Sequence, residues 1–89
     1  MYVVTIFVVK GCRFCDDAKS ALYAMRGIRV VEIDAKPRIR ERLAIKTGCT
    51  TLPSVWIGGV YIGGLNTGPA PFGGLVRFIA EDLWYLARG

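Results

Sequence analysis

Residues 2–22 read YVVTIFVVKGCRFCDDAKSAL and set the start of the fold. The β-branched and aromatic run Tyr2–Val9 predicts one buried strand. Gly11 ends this run, and from Arg13 onward apolar residues recur at helical spacing until Gly27, which predicts a helix. A strand that leads through a glycine into a helix is the first half of a βαβ unit.

The next segment completes that unit. Residues 29–34 (RVVEID) predict a second strand, which would lie parallel to the first after a right-handed crossover. Pro37 suits the first turn of a second helix, in which Ile39 and Leu43 face inward. Thr47-Gly48 closes this helix.

The C-terminal third predicts a hairpin and a helix. Short strands at 55–57 and 60–62 flank Gly58-Gly59, and this pair favours a hairpin because the primed turns need positive φ. A loop rich in glycine and proline follows at 63–74, and a last helix is predicted over about 71–87.

The order β-α-β-α-β-β-α predicts an α/β fold, with a mixed four-stranded sheet flanked by three helices. The length suits a single domain, 1–89.

Hydrophobic residues are 53% and charged residues 21%, which excludes disorder. The longest apolar run, Val55–Leu65, is too short to span a bilayer, and residues 1–9 lack the basic start of a signal peptide. We therefore expect a cytoplasmic protein with no membrane partner.

The amino-acid composition also excludes several kinds of catalytic site and partner. The sequence has no histidine, which excludes histidine-based catalysis and Cys-His pairs. Its net charge of +5 favours acidic partners and small anions. Aromatic residues do not interleave with the basic ones as on a nucleic-acid surface, so no nucleic acid is expected. The three cysteines are too few for a disulfide framework and odd in number.

Cys12 and Cys15 form a Cys-x-x-Cys motif at the predicted helix start. Free backbone N–H groups and the helix dipole stabilise a thiolate at Cys12, and Lys10 and Arg13 add positive charge. Cys15 lies one turn later on the inward face and should be shielded. An exposed thiol that attacks beside a shielded thiol that resolves suits thiol–disulfide exchange. The alternative is half of a zinc site, for which only Cys49 remains as a further cysteine ligand.

Two segments resemble the glutaredoxin family of the thioredoxin-like superfamily. GCRFCDDAKSAL (11–22) is similar to the glutaredoxin active-site segment, with Cys-Arg-Phe-Cys in place of the usual Cys-Pro-Tyr-Cys. TLPSVWIGGVYIGG (51–64) resembles the Thr-Val-Pro, hairpin and Gly-Gly block of the family. The resemblance covers nearly the whole chain. It implies a thioredoxin-like fold and a glutathione-dependent oxidoreductase, which reduces protein disulfides or glutathione mixed disulfides through Cys12 and Cys15.

The resemblance also implies a substrate-binding site beside the cysteines. Pro53 would be cis, although an ordinary trans proline is the alternative from the sequence alone. The backbone of Leu52 would pair with a peptide or with glutathione. Gly63 and Gly64 would admit the backbone of the ligand, or would simply form a turn. The other predicted binding residues are Lys10, Arg13, Phe14, Thr51, Asn66 and Thr67.

Glutathione carries two carboxylates, which family members hold with a lysine before the motif and with polar groups of the second helix. Lys10 matches the first of these. Arg38, Arg40 and Arg42 could supply the second, or they form a solvated basic face. The resemblance implies glutathione as co-substrate, no bound cofactor or metal, disulfide-bearing protein partners and a monomer.

Two departures from the family leave other functions open. Arg13 replaces a proline that is thought to disfavour cluster binding, so a carrier of a glutathione-ligated [2Fe-2S] cluster is one alternative. The loop 65–74 has no acid, whereas the family binds the amino group of glutathione with a short acidic segment. Asn66 or Thr67 could still accept hydrogen bonds, but the contact between a carboxylate and the ammonium group is lost. A redoxin that is reduced by thioredoxin reductase and donates electrons to ribonucleotide reductase is therefore the other alternative.

Two further residues have an open role. Cys49 lies four residues before Pro53 and is either an isolated free thiol or a third redox cysteine. Trp84 should project from the polar side of the last helix, either as a contact site or as a single exposed aromatic.

Overall fold

The computed structural model describes residues 2–87, and these form a four-stranded sheet with helices on both faces. The strands are β1 (Tyr2–Val8), β2 (Ile28–Asp34), β3 (Ser54–Ile57) and β4 (Val60–Gly63). Their spatial order is β2-β1-β3-β4. β1 is parallel to β2, whereas the β1–β3 and β3–β4 pairs are antiparallel. The predicted mixed sheet and its βαβ unit are confirmed.

The first two helices follow their local sequence signals. α1 (Arg13–Tyr23) begins where predicted but ends one turn before Gly27, with Ala24 as its C-cap. α2 (Pro37–Thr47) has the predicted bounds, because Pro37 fits the first turn and Gly48 adopts the left-handed cap at φ 74°. The hairpin prediction is also confirmed, since both glycines of its turn have positive φ.

The last helix is shorter than predicted. α3 (Leu75–Ala80) begins after the glycine-rich loop, and a 3-10 segment (Leu83–Ala87) follows it. Between them Asp82 adopts a left-handed conformation at φ 53°, which interrupts the helix. The prediction of one helix over 71–87 was therefore wrong, because the break ends the α-helical periodicity.

The same break corrects the prediction for Trp84. Its ring lies 4.9 Å from that of Tyr2 and 4.8 Å from that of Phe78, so it packs against the core instead of projecting into solvent. Leu86 is 40% exposed, although an unbroken helix would place it on the same face as Leu75 and Phe78. Once the helix is interrupted, positions counted at 3.6 residues per turn no longer share a face.

The hydrophobic core lies between the sheet and the helices α1 and α3. It is built by alternate strand residues and one side of each helix: Val4, Ile6, Val55, Ile57 and Ile62 with Ala18, Leu22, Leu75 and Phe78, all fully buried. α2 covers the opposite face of the sheet and contributes no buried residue. Ile39 and Leu43, predicted to face inward, are only half-buried. None of the helices within residues 2–87 is long and apolar enough to cross a membrane.

The sheet brings together the two segments that resemble the glutaredoxin family, residues 11–22 and 51–64. The β1–β3 register pairs Phe7 with Ser54, near the C-terminal end of β1. The chain leaves β1 toward Cys12 at this end, and Pro53 precedes Ser54 in the neighbouring strand. The loop before α1 and the loop before β3 are therefore neighbours, although 40 residues separate Cys12 from Leu52 in the sequence.

Candidate active site at the start of the first helix

Cys12 is the N-cap residue of α1, and its sulfur contacts one backbone group of α1 and one of the loop before β3. Its Sγ accepts a hydrogen bond from the backbone N–H of Cys15 at 3.1 Å. In the thiol form, Sγ also donates to the carbonyl oxygen of Leu52 at 3.9 Å. The side chain is half-buried, so a reacting sulfur can still reach it. A free N–H group in the first turn of α1 is therefore directed at this sulfur.

Cys15 has the opposite environment. It is fully buried on the inner side of α1, as the helical spacing predicts. Burial raises the pKa of the Cys15 thiol to about 11, and its hydrogen bond with Cys12 acts in the same direction. Both residues are free thiols in the structure. One accessible sulfur and one protonated, shielded sulfur therefore lie one helical turn apart.

The loop before β3 supplies the other wall of the site. The Leu52–Pro53 peptide bond is cis, as the resemblance implies, and Pro53 is buried. A Cβ added at Gly64 would lie 3.1 Å from the carbonyl oxygen of Pro53. Gly64 thus permits close approach of two backbone segments beside the cysteines.

Gly63 is buried, and the protein itself occupies the space next to it. A Cβ at Gly63 would lie 2.3 Å from the carbonyl oxygen of Thr67 and 2.5 Å from the Cα of Gly68. Packing of the loop therefore accounts for this glycine without a ligand, and its ligand-binding role stays a prediction. Asn66 and Thr67 are exposed on the same loop. Their contact with a ligand also stays a prediction.

Positive charge and an apolar surface border Cys12. Lys10 and Arg13 are exposed, and neither forms an ion pair with any residue of the range 2–87. Asp16, the acid closest in sequence, pairs with Lys19 at 3.6 Å. Phe14 is 57% exposed and presents its ring to solvent. An anionic, partly apolar substrate would meet complementary groups at this end of the molecule.

The three arginines of α2 do not share one location. Arg40 Nη2 donates to the carbonyl oxygen of Thr50 at 3.3 Å, which places Arg40 at the loop before Pro53. Arg42 lies with Ile39 and Leu43 at a cavity between α2 and the sheet. Of the predicted carboxylate-binding arginines, Arg40 is thus the one whose contact ties it to the site. Sequence spacing left this choice open.

Cys49 belongs to a polar cluster that the sequence did not predict. Its Sγ lies 3.1 Å from Oγ1 of Thr51, and hydrogen bonding to Thr51 lowers the pKa of the Cys49 thiol. Tyr61 contributes a further hydrogen bond, while burial raises the pKa of Tyr61. Thr51, predicted to bind substrate, thus contacts Cys49. Tyr61 lies on the hairpin, and only the folded chain brings it near.

Within the part of the chain that the structure describes, no three cysteine, aspartate or glutamate side chains cluster closely enough to hold a metal ion.

Comparison with known proteins gives the same family throughout. The glutaredoxin family model matches residues 4–62. A glutaredoxin of Pseudomonas aeruginosa is 41% identical over 65 residues, which cover 71% of this chain and 76% of the relative. The solution structure of reduced glutaredoxin C1 from Populus tremula x tremuloides superposes with a TM-score of 0.71 at 26% identity, over 94% of this chain and 69% of that one.

A ligand-bound structure is also similar. The crystal structure of a buckwheat glutaredoxin–glutathione complex has a TM-score of 0.58 and 29% identity, and the match covers 68% of this chain and 59% of that one. This chain thus spans less than two thirds of that protein. The Cys12–Cys15 motif, the sheet order and these matches agree, and the chain belongs to the glutaredoxin family of thiol–disulfide oxidoreductases.

Proposed function

We propose that the protein is a glutathione-dependent oxidoreductase in which Cys12 attacks disulfides and Cys15 resolves the intermediate. The observation that carries the proposal is the contrast between the two sulfurs. Cys12 is accessible and accepts a backbone N–H, whereas Cys15 is buried and protonated. Nucleophilic attack needs a sulfur that the substrate can reach, and of the two sulfurs Cys12 is the accessible one.

The first step is a sulfur-for-sulfur displacement. The Cys12 thiolate attacks the glutathione sulfur of a glutathione mixed disulfide. A new S–S bond forms between Cys12 and glutathione as the old one breaks, and the protein substrate leaves as a thiolate that takes a proton from water. We assign glutathione to the backbone of Leu52, which contacts the sulfur, and to the exposed side chains of Lys10 and Phe14, which are two residues from Cys12 in the sequence. The buckwheat glutaredoxin–glutathione complex supports this assignment.

Two thiolates compete for the second step. A second glutathione can attack the glutathione sulfur, which releases glutathione disulfide and restores Cys12. Alternatively, the Cys15 thiolate attacks the Cys12 sulfur, the bond to glutathione breaks and glutathione leaves as a thiolate. Two glutathione molecules later reduce the internal disulfide, and they leave as glutathione disulfide. Because the pKa of Cys15 is raised to about 11, its thiolate is scarce near neutral pH. The Cys15 route should therefore become faster as pH rises.

The loop 65–74 favours one rival function. It contains no acid to pair with the amino group of glutathione, and its backbone bonds largely to itself and to β4, as in Gly74 N–H to Ile62 O at 3.0 Å. A redoxin reduced directly by thioredoxin reductase would not need that contact. Ribonucleotide reductase as a partner and cluster carriage stay predictions from the sequence.

A coupled NADPH-consumption assay on one glutathione mixed disulfide separates these functions. One arm contains glutathione and glutathione reductase, and the other contains thioredoxin reductase alone. We expect turnover in the glutathione arm, its loss in Cys12→Ser, and its retention in the matched control Cys49→Ser. Turnover in the thioredoxin reductase arm alone would favour the rival. Turnover that survives Cys12→Ser would contradict both.

A further inference from the structure

A groove lies between α2 and the sheet, on the face away from the hydrophobic core. One part has a volume of about 320 Å³ and is lined by Thr5, Phe7, Leu43, Lys46, Trp56 and Gly59. A second part, of about 270 Å³, is lined by Phe7, Ile33, Ile39, Arg42, Leu43 and Lys46. Because the two parts share Phe7, Leu43 and Lys46, they form one continuous groove along α2. None of its lining residues contacts Cys12 or Cys15 through a hydrogen bond.

The floor of the groove is apolar and incompletely covered. Three strands supply it, with Ile33 from β2, Phe7 from β1 and Trp56 from β3. All three side chains are only half-buried. Trp56 is held in place, since its Nε1 donates to Oγ of Ser54 at 2.9 Å and its ring lies 5.2 Å from that of Tyr61. An ordered aromatic residue that keeps part of its surface open suits contact with another apolar side chain.

The wall of the groove carries positive charge. Lys46 Nζ lies 6.0 Å from the Trp56 ring, at the upper limit for a cation–π contact, and Arg42 borders the second part. Neither cation forms an ion pair with a residue in the range 2–87. The one acid of α2 is Glu41, which does not line the groove and borders a separate surface depression with Arg38 and Arg42.

We propose that this groove docks an acidic peptide segment of a partner protein, with one bulky apolar side chain on Phe7 and Trp56 and carboxylates at Arg42 and Lys46. The argument for this occupant is charge complementarity. A second copy of the chain would bring its own net charge of +5 to a basic surface and would be repelled. The proposal is independent of the exchange chemistry, because the groove and the cysteines have no residue in common.

The test uses Trp56 as a built-in reporter. The chain has two tryptophans, and Trp84→Phe leaves Trp56 as the remaining one. The probe is a short cysteine-free peptide of glutamates around a phenylalanine and a leucine, labelled with fluorescein. The control peptide has lysine in place of each glutamate. Binding is followed by anisotropy of the label on the native chain and by Trp56 emission in Trp84→Phe.

Two matched charge reversals localise the binding. Lys46→Glu changes the groove, whereas Arg26→Glu makes the same change in charge at an exposed position after α1. We expect Lys46→Glu to weaken binding of the acidic peptide by about fivefold or more. Arg26→Glu should weaken the same binding by less than about twofold. Leu43→Ala should weaken it several-fold through lost apolar contact. Turnover of a small disulfide substrate should be the same in Lys46→Glu and the native protein.

Several outcomes would overturn the proposal. Equal weakening by both charge reversals would mean diffuse attraction without a site. Equal binding of the acidic and basic peptides, or no change in Trp56 emission, would show that the groove is not the binding site. A dimer in sedimentation that Leu43→Ala abolishes would assign the groove to a second copy. Binding to anionic phospholipid vesicles, but not to the acidic peptide, would assign it to a lipid surface.

Discussion

The two faces of the sheet differ in how completely they are covered. On the side of α1 and α3, Ile6, Val55 and Phe78 have no solvent exposure. On the side of α2, Phe7 and Trp56 stay half-exposed and the helix buries no residue. Fully buried apolar surface supplies most of the free energy of folding in a chain of this size. Stability therefore resides mainly on one face, which leaves room for recognition on the other.

The two cysteines of the motif differ in exposure because only one of them lies on the fully covered side of the sheet. Cys15 belongs to the covered side and is shielded by it, whereas Cys12 lies at the end of the sheet, within reach of solvent. The packed face thus fixes the position of one sulfur and keeps it protonated. The other sulfur stays free to react. Each prediction below tests a consequence of this difference between the faces.

The largest expected effect is the loss of a core aromatic. Phe78→Ala should lower the free energy of unfolding by about 3–5 kcal/mol, because it empties a fully buried position. Phe7→Ala, the matched change on the α2 face, should cost only about 1–2 kcal/mol, since its side chain is half-exposed. Urea unfolding of both variants measures the difference. Similar losses would contradict the account of the two faces.

A smaller effect should follow from Gly63→Ala on the loop beside the site. The new methyl group would meet the carbonyl oxygen of Thr67 at 2.3 Å, and φ is 120°. We expect a loss of about 2–3 kcal/mol in the same urea measurement. Gly59→Ala is the control, because φ is 90° there but no atom lies within 4 Å. Its backbone strain alone should cost about 1 kcal/mol. An equal loss of unfolding free energy in both variants would show that close packing of the loop does not contribute to the effect of Gly63→Ala.

A third effect links Cys15 to alkaline pH. Its folded pKa is raised from 9.0 to about 11, so the folded state binds more protons than the unfolded state between these values. The contribution to stability is complete below pH 9 and is lost as pH rises through about 11. Unfolding measured across this window should show a steeper decline in the native protein than in Cys15→Ala. Tyrosines titrate in both proteins, and parallel curves would therefore contradict the shielding of Cys15.

The smallest effect concerns a surface contact. Arg77 Nε and Glu81 Oε2 form an ion pair at 2.7 Å, in which both side chains are about half-exposed. Arg77→Ala should lower the free energy of unfolding by no more than about 0.5 kcal/mol, and salt should reduce the difference. A loss comparable with that of Phe78→Ala would show that the surface, and not the packed face, limits stability.

The features that the sequence predicts well are local. The hairpin depends on two adjacent glycines, α2 on Pro37 and Gly48, and the inward position of Cys15 on spacing along one helix. The pairing of neighbouring strands then places Cys12 beside Leu52. The local signals predict the βαβ unit, the hairpin and the pair of sulfurs, whereas the position of β3 beside β1 is shown only by the structure.

The features that the sequence misses depend on contacts between distant segments. Asp82 interrupts the last helix, and Trp84 then packs against Tyr2 at the other end of the chain. Gly63 is required by loop residues that fold back onto it. The half-open α2 face also escapes prediction, because alternation in β1 and β3 shows which residues share a face but not how far a helix covers them.

The most direct test of the account traps the first intermediate. Cys15→Ser is incubated with glutathione disulfide, digested without reductant and analysed by peptide mass mapping, with Cys12→Ser as the parallel control. The account predicts one glutathionyl group on the peptide that contains Cys12, none at that position in Cys12→Ser, and less labelling of Cys49 than of Cys12 in Cys15→Ser. Modification mainly at Cys49, or equal labelling of both variants, would contradict the assignment of Cys12 as the attacking thiol.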